Sequence, residues 1–318
     1  MKIKFWGIRG SLPISLNNKQ ILEKMMEVLR LSRGHSLDTD EEISHFLTGL
    51  SPLLVGTSGG NTSCFEITSS SGTTVIVDMG SGVRGLGNEL MKKSCGQGKG
   101  EVNFVMTHTH WDHIMGFPFF IPAYISGNNI NIYGVHKHIE QALTMQGNPI
   151  CFPVQLKDMN ANIHFHYKKE GEEFQIGDIR ISSKALEHPG GSYAYRFTDG
   201  DKSIVIATDG EYKNLTRQHL QPFIDFYSRC DLLLFDAQYL LSEALFSKVD
   251  WGHSSAPIGI DLGILARVKQ IALIHHDPTS DDTRLASLER ASQDYLNRTY
   301  PDSKLNIIMA REELEMTL

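Results

Sequence analysis

The chain has 318 residues, 41% of them hydrophobic, enough for a large core, and its net charge of −7 argues against a nucleic-acid grip built on a broad basic face. No apolar run approaches the roughly 20 residues that span a bilayer, and the opening "MKIKFWGIRGSLP" lacks the apolar core of a signal peptide. Cys64, Cys95, Cys151 and Cys230 form no CxxC pair, which weighs against a disulfide framework or a zinc finger and predicts a reduced, cytoplasmic protein.

In chain order, "KIKFWG" reads as a first strand. "NNKQILEKMMEVLRLSR" then has the spacing of an amphipathic helix, with Ile21, Met25, Val28 and Leu29 on one face. "TDEEISHFLTGL" opens with a capping box, Thr39 and Glu42. Residues 16–55 are therefore expected to be a helical insertion after the first strand, acting as a lid, a dimer arm or a surface elaboration. "CFEIT", "TVIVDMG" and "VNFVMTH" continue the strands, with a helix over "GVRGLGNELMKK". The second half alternates "NINIYG", "IRISSKALEH", "YAYRFT", "SIVIATD", "DLLLFDA" and "QIALIHH" with helices at about 213–228, 254–267 and 280–298. Interleaved strands and helices predict an α/β chain, sheets covered by helices, in one domain over 1–318.

The stretch "VMTHTHWDHIMG" sets His108, His110, Asp112 and His113 within six positions, directly after an apolar run. Imidazole nitrogen and carboxylate oxygen bind zinc and related divalent ions. Alternation points His108 and His110 to one side of a strand end, and the turn that follows offers Asp112 and His113 from the start of a helix. One ion can take each pair, so other segments must complete both sets. His188 in "ALEHPGGS", Asp209 in "IVIATDGEY", and His275 or His276 in "IALIHHDP" each follow an apolar strand, where α/β sheets expose their chemistry. Gly190 and Gly191 permit close backbone approach beside His188. The competing explanation is a set of histidines that merely cap strands. It suits "HKH" (His136, His138) and "HFH" (His164, His166), which lack a third ligand or a following carboxylate.

"THTHWDH", followed by His188, Asp209 and His275, resembles the HxHxDH signature of the metallo-β-lactamase superfamily. "FWGIRGSLP", "GGNTSCFEI", "VIVDMGSGVRGLG" and "IHHDP" look like its ribonuclease Z-related branch, which has phosphodiesterase members. The resemblance spans nearly the whole chain. It implies an αββα four-layer sandwich with two metals at the sheet edges; imidazole and carboxylate donors accept zinc first, with manganese or iron as alternatives. Carried over, His108, His110 and His188 hold one metal, Asp112, His113 and His275 hold the other, and Asp209 bridges them. His275 is preferred to His276 on the same ground. A homodimer is implied likewise.

A metal pair lowers the pKa of a bound water toward about 7 and so supplies hydroxide at neutral pH. Two divalent ions bring four positive charges, of which Asp112, Asp209 and a bridging hydroxide cancel about three; the remainder suits an anionic phosphoester. The branch also uses an acidic residue and a histidine to assist the leaving group. The matching segments, "LLLFDAQY" and "DWGHSSAPIGIDLG", make Asp236 the orienter of His253, and His253 the acid for a departing alkoxide. Such an acid is worth ~10²–10⁴ in rate. Ribonuclease Z usually has glutamate where this chain has Asp236. It also carries a flexible arm between the positions of His188 and Asp209, where only twenty residues stand here. The resulting expectation is hydrolysis of a small phosphodiester, a cyclic nucleotide above all, with no large nucleic acid and no membrane as partner. The alternatives are tRNA 3′-processing, thioester hydrolysis of the glyoxalase II kind, and a non-enzymatic metal-binding module. Arg9, Ser11, Asn61, Thr62 and Asp78 are read as structural support for this site.

Overall fold

The computed structural model describes residues 1–318. The first sheet contains β1 (Lys2–Gly7), β2 (Cys64–Thr68), β3 (Thr74–Val77), β4 (Glu101–Met106), β5 (Asn129–Gly134) and β6 (Asn162–Tyr167). The second contains β7 (Phe174–Ile176), β8 (Ile179–Leu186), β9 (Ser192–Asp199), β10 (Lys202–Ala207), β11 (Leu232–Asp236), β12 (Gln270–Ile274) and β13 (Asn306–Met309). The chain then returns to the first sheet, where β14 (Glu315–Thr317) pairs antiparallel with β1. The spatial orders are 14-1-2-3-4-5-6 and 13-12-11-10-9-8-7.

Helices fill the connections. Between β1 and β2 lie α1 (Asn18–Leu31), α2 (Asp40–Thr48) and α3 (Pro52–Val55). The first sheet is then crossed by α4 (Val83–Met91), the single turn α5 (Trp111–Ile114) and α6 (Ile139–Gln146). The second is crossed by α7 (Arg217–Tyr227), α8 (Ala256–Ala266) and α9 (Asp282–Thr299).

The apolar strand runs are continuous because both faces of each sheet are covered. In β10, Ile204 and Ile206 enter a core shared with the other sheet, whereas Val205 and Ala207 pack beneath the helices. Leu232 and Leu234 of β11 repeat that division against Leu233 and Phe235. The middle core joins the two sheets through Ile3, Phe5, Phe65, Ile181 and Phe197. One outer core seats α7, α8 and α9, and the other seats α4 and α6. Three stacked cores make four layers, the expected αββα sandwich. Each fully buried Leu, Ile or Phe contributes about 1.5–3 kcal/mol of transfer free energy.

The 16–55 segment is helical as expected, with capping boxes at Asn17–Gln20 and Thr39–Glu42. The apolar face of α1, however, does not seat on the body: Ile21, Met25 and Leu29 are 43%, 57% and 66% exposed. A single polar anchor ties α1 down. Lys24 Nζ donates to Leu53 O (2.7 Å), Gly56 O and the buried Asp282 carboxylate (both 2.5 Å). The sequence pattern did not reveal β6, β7, β13, β14 or α6. Three of these strands have three or four residues, and β6 ("NIHFHY") is half polar because it lies at a sheet edge.

Candidate metal centre

Strand direction brings the singled-out residues to one edge. Strands β10, β11 and β12 are parallel, and β8 runs the same way because two antiparallel pairings separate it from β10. Their C-terminal ends therefore release His188, Asp209, Asp236 and His275 side by side. Across the interface, β4 ends at Met106 and its continuation supplies His108, His110 and, from α5, Asp112 and His113.

Two ligand-like groups result. His108, His110, His188 and Asp209 form one; Asp112, His113, Asp209 and His275 form the other, with one donor atom of each residue within 4.8 Å of the rest of its group. Asp209 belongs to both. His110 Nδ1 is 2.9 Å from His188 Nε2. Asp209 Oδ2 stands 3.5 Å from His108 Nε2 and 3.3 Å from His113 Nε2. His275 Nε2 is 3.1 Å from both Asp209 Oδ1 and Asp112 Oδ2.

Outer partners aim these rings. Asp78 accepts from His113 Nδ1 at 2.7 Å and from Thr107 N and Oγ1 at 2.8 and 2.7 Å. Thr107 Oγ1 is in turn 3.1 Å from His108 Nδ1. Gly252 O accepts from His188 Nδ1 at 2.8 Å, and Gln238 Oε1 from His275 Nδ1 at 2.9 Å. The Ser11 amide donates to Asp112 Oδ2 at 2.7 Å. Asp78 thus supports the histidines as expected. Gln238 and Gly252 were missed, since nothing local marks an amide or a carbonyl whose partner is tens of residues away.

The donor set fits divalent metal. With the Nδ1 atoms of His108, His113, His188 and His275 engaged, their Nε2 atoms are left as lone pairs turned toward Asp209. His108 Nε2 is buried with no hydrogen-bond partner at all. Burial pushes His108, His110 and His188 below their ordinary range, so they stay in the neutral form that ligates. Against the same burial, Asp209 holds His113 well up and His275 up to about 9. The carboxylates favour positive charge between them, which a divalent ion would supply.

The remaining expected residues fall in place or out of it. Asp236 Oδ2 is 2.9 Å from His253 Nδ1, and a third group joins Asp209, Asp236, His253 and His275. His253 precedes α8 by three residues. Its ring stacks on His275 (4.9 Å between centroids, 21°) with Tyr239 edge-on at 5.5 Å. His276 turns away to Ala310 O at 3.2 Å. Arg9 is buried and bonds Gly59 O, Ser280 O and Ser58 Oγ, a structural clamp. Asn61 is paired with Glu312 and Ser81, and the Thr62 hydroxyl accepts from the Ser81 amide. His136, His164 and His166 sit outside both groups, as does His138, which contacts Thr109 Oγ1 at 3.2 Å.

Residues 73–276 match the family model described as a beta-lactamase superfamily domain, well over half of the chain. The chain belongs to that superfamily. The family's metallo-β-lactamase fold implies divalent metal ions, and the two groups above are candidate ligand clusters for them. Among curated members, a ribonuclease Z of Oceanobacillus iheyensis is 29% identical over 111 residues, 33% of this chain and 34% of that protein. The chain thus spans about a third of the length of this relative. Among solved structures, the metallo-beta-lactamase fold protein YhfI from Bacillus subtilis aligns with TM-score 0.65 and 17% identity, over 99% of this chain and 98% of that one. The short form of human tRNase Z aligns with TM-score 0.56 and 16% identity, over 100% and 99%. At these identities the structural likenesses establish the fold alone.

Proposed function

We propose that the protein is a metal-dependent phosphodiesterase that hydrolyses a small phosphodiester, by its chemistry a 3′,5′-cyclic nucleotide. The observation that carries this reading is the Asp236–His253 pair, 2.9 Å apart, sharing Asp209 and His275 with the metal groups. His108, His110 and His188 would hold one ion, Asp112, His113 and His275 the second, with Asp209 common to both. Two such ions, zinc by donor chemistry with manganese or iron as alternatives, would supply Lewis-acid stabilisation and an activated water.

The chain's own groups do the rest. Asp236 is fully buried and accepts the Nδ1 proton of His253, which reserves Nε2 for exchange with the substrate. The Gly210 and Gln238 amides donate to the same carboxylate at 3.2 Å each, holding it in position. Stacking on His275 and the edge of Tyr239 fixes the ring plane. An alkoxide leaves poorly without a proton, whereas a thiolate needs none, so this pair favours a phosphodiester over a thioester.

Likeness to ribonuclease Z supports a second reading, tRNA 3′-processing. Against it, the twenty residues between His188 and Asp209 form β9 and β10 joined by a tight turn, with little chain left for an RNA-clasping arm. A hydrolysis panel on zinc-reconstituted protein separates the two: cAMP, cGMP, cCMP, cUMP, a linear dinucleotide, pre-tRNA and a thioester. Conversion of cyclic nucleotides to monophosphates is expected. Activity confined to pre-tRNA or the thioester overturns the substrate assignment.

A further inference from the structure

The metal loop has a second face. In "THTHWDHIM" five positions do not join the two ligand-like groups: Thr107 turns to Asp78, and the other four, Thr109, Trp111, Ile114 and Met115, line one cavity of about 660 Å³. That volume lies within the ~300–1,000 Å³ of small-ligand sites. The lining also includes Phe119 and Phe152, packed edge-to-face at 5.5 Å, and Met145. Trp111, Phe119 and Met145 are 71%, 53% and 66% exposed, so large apolar surfaces line this open space.

The polar groups there are few. Arg84 is exposed on the rim, and its guanidinium forms no ion pair. Gln146, in the cavity lining, donates from Nε2 to Ile114 O at 3.0 Å, and its Oε1 is a buried acceptor without a partner. Aromatic walls, a guanidinium donor and a spare amide acceptor match a planar heterocycle that carries both carbonyl and N–H groups. An aliphatic ester group would use the walls and leave both polar groups idle.

We propose that this cavity is the nucleobase subsite: Trp111 and Phe119 stack the base while its phosphodiester lies at the metal groups. This rests on the phosphodiesterase reading above and adds the part of the substrate that the enzyme selects. Since His110 separates Thr109 from Trp111 in the chain, base and phosphate are held by one short loop.

The test compares two diesters with one leaving group, thymidine 5′-(p-nitrophenyl) phosphate and ethyl p-nitrophenyl phosphate, on zinc-loaded protein. Phe119→Ala should lower the thymidine-to-ethyl ratio of kcat/KM about tenfold or more, mainly through KM, since each base–aromatic stack is worth that much. Equal losses on both diesters overturn the subsite. Binding is read separately, by competition against a fluorescent ligand with thymidine 5′-monophosphate and inorganic phosphate. Wild-type protein should prefer the nucleotide, and Phe119→Ala should abolish most of that preference. Retained preference without hydrolysis of either diester would refute the phosphodiesterase reading and leave the subsite standing. No preference in the wild type refutes the subsite whatever is hydrolysed.

Discussion

His113 Nε2 and His275 Nε2 face each other 3.4 Å apart, one from the loop after β4 and one from the end of β12. Each ring has its other nitrogen engaged, by Asp78 and by Gln238. Two lone pairs at that distance repel unless a proton or a metal ion lies between them. Gln238→Ala should therefore weaken metal binding by about 10–100-fold, the usual cost of losing an outer partner of a ligating histidine. Competition with a chromophoric chelator measures this, and unchanged affinity would remove Gln238 from the site.

Asp209 is the residue common to all three groups at the edge. Asp209→Ala should abolish activity and leave the purified protein with fewer than two metal equivalents by elemental analysis. Full retention of metal and turnover would sink the bridging assignment.

His253 is held by Asp236 and belongs to neither of the groups assigned to metal. For His253→Ala the metal content should persist while hydrolysis of an alkyl-leaving diester drops by ~10²–10⁴. With p-nitrophenolate leaving, which needs no proton, the loss should be much smaller. Equal losses on the two substrates would refute the acid role.

Gly252 has φ +84°, and a Cβ there would stand 2.2 Å from His188 Nδ1 and 2.4 Å from Pro189 Cδ. Gly252→Ala thus combines an unfavourable left-handed backbone with displacement of His188. One metal equivalent should be lost, that of the His108–His110–His188 group, while the other remains. Loss of both or neither would show that His188 does not define a separate site.

Lys24 tethers the helical insertion to Asp282, whose carboxyl is held below its usual range by Lys24 and Ser58 against the pull of burial. A depressed carboxyl pKa stabilises above the unfolded value of about 3.9 and loses that contribution as pH falls through the lower folded value. Lys24→Met should accordingly lower Tm by a constant amount between about pH 5 and 7, and the gap should close only below about pH 4. A gap that opens on acidification would contradict the ion pair. The same variant should make residues 16–55 more sensitive to protease at neutral pH.

The sequence alone determined the local chemistry: strands whose apolar runs require cover on both faces, the capping box at Thr39, and the crowded histidines of the metal loop. These are readable because periodicity, caps and ligand type are properties of neighbouring residues. His188, Asp209 and His275 were legible as strand-end residues, and family resemblance grouped them. Their actual meeting depends on parallel β10, β11 and β12 ending at one edge, a pairing choice that no local pattern encodes. Only the tertiary structure decided that Gln238 rather than a carboxylate steadies His275, that His276 faces away, and that the apolar face of α1 stays in solvent. The cavity behind Trp111 belongs to the same class. Its walls come from α5, α6 and the turns around them, segments joined by packing of side chains rather than by spacing along the chain.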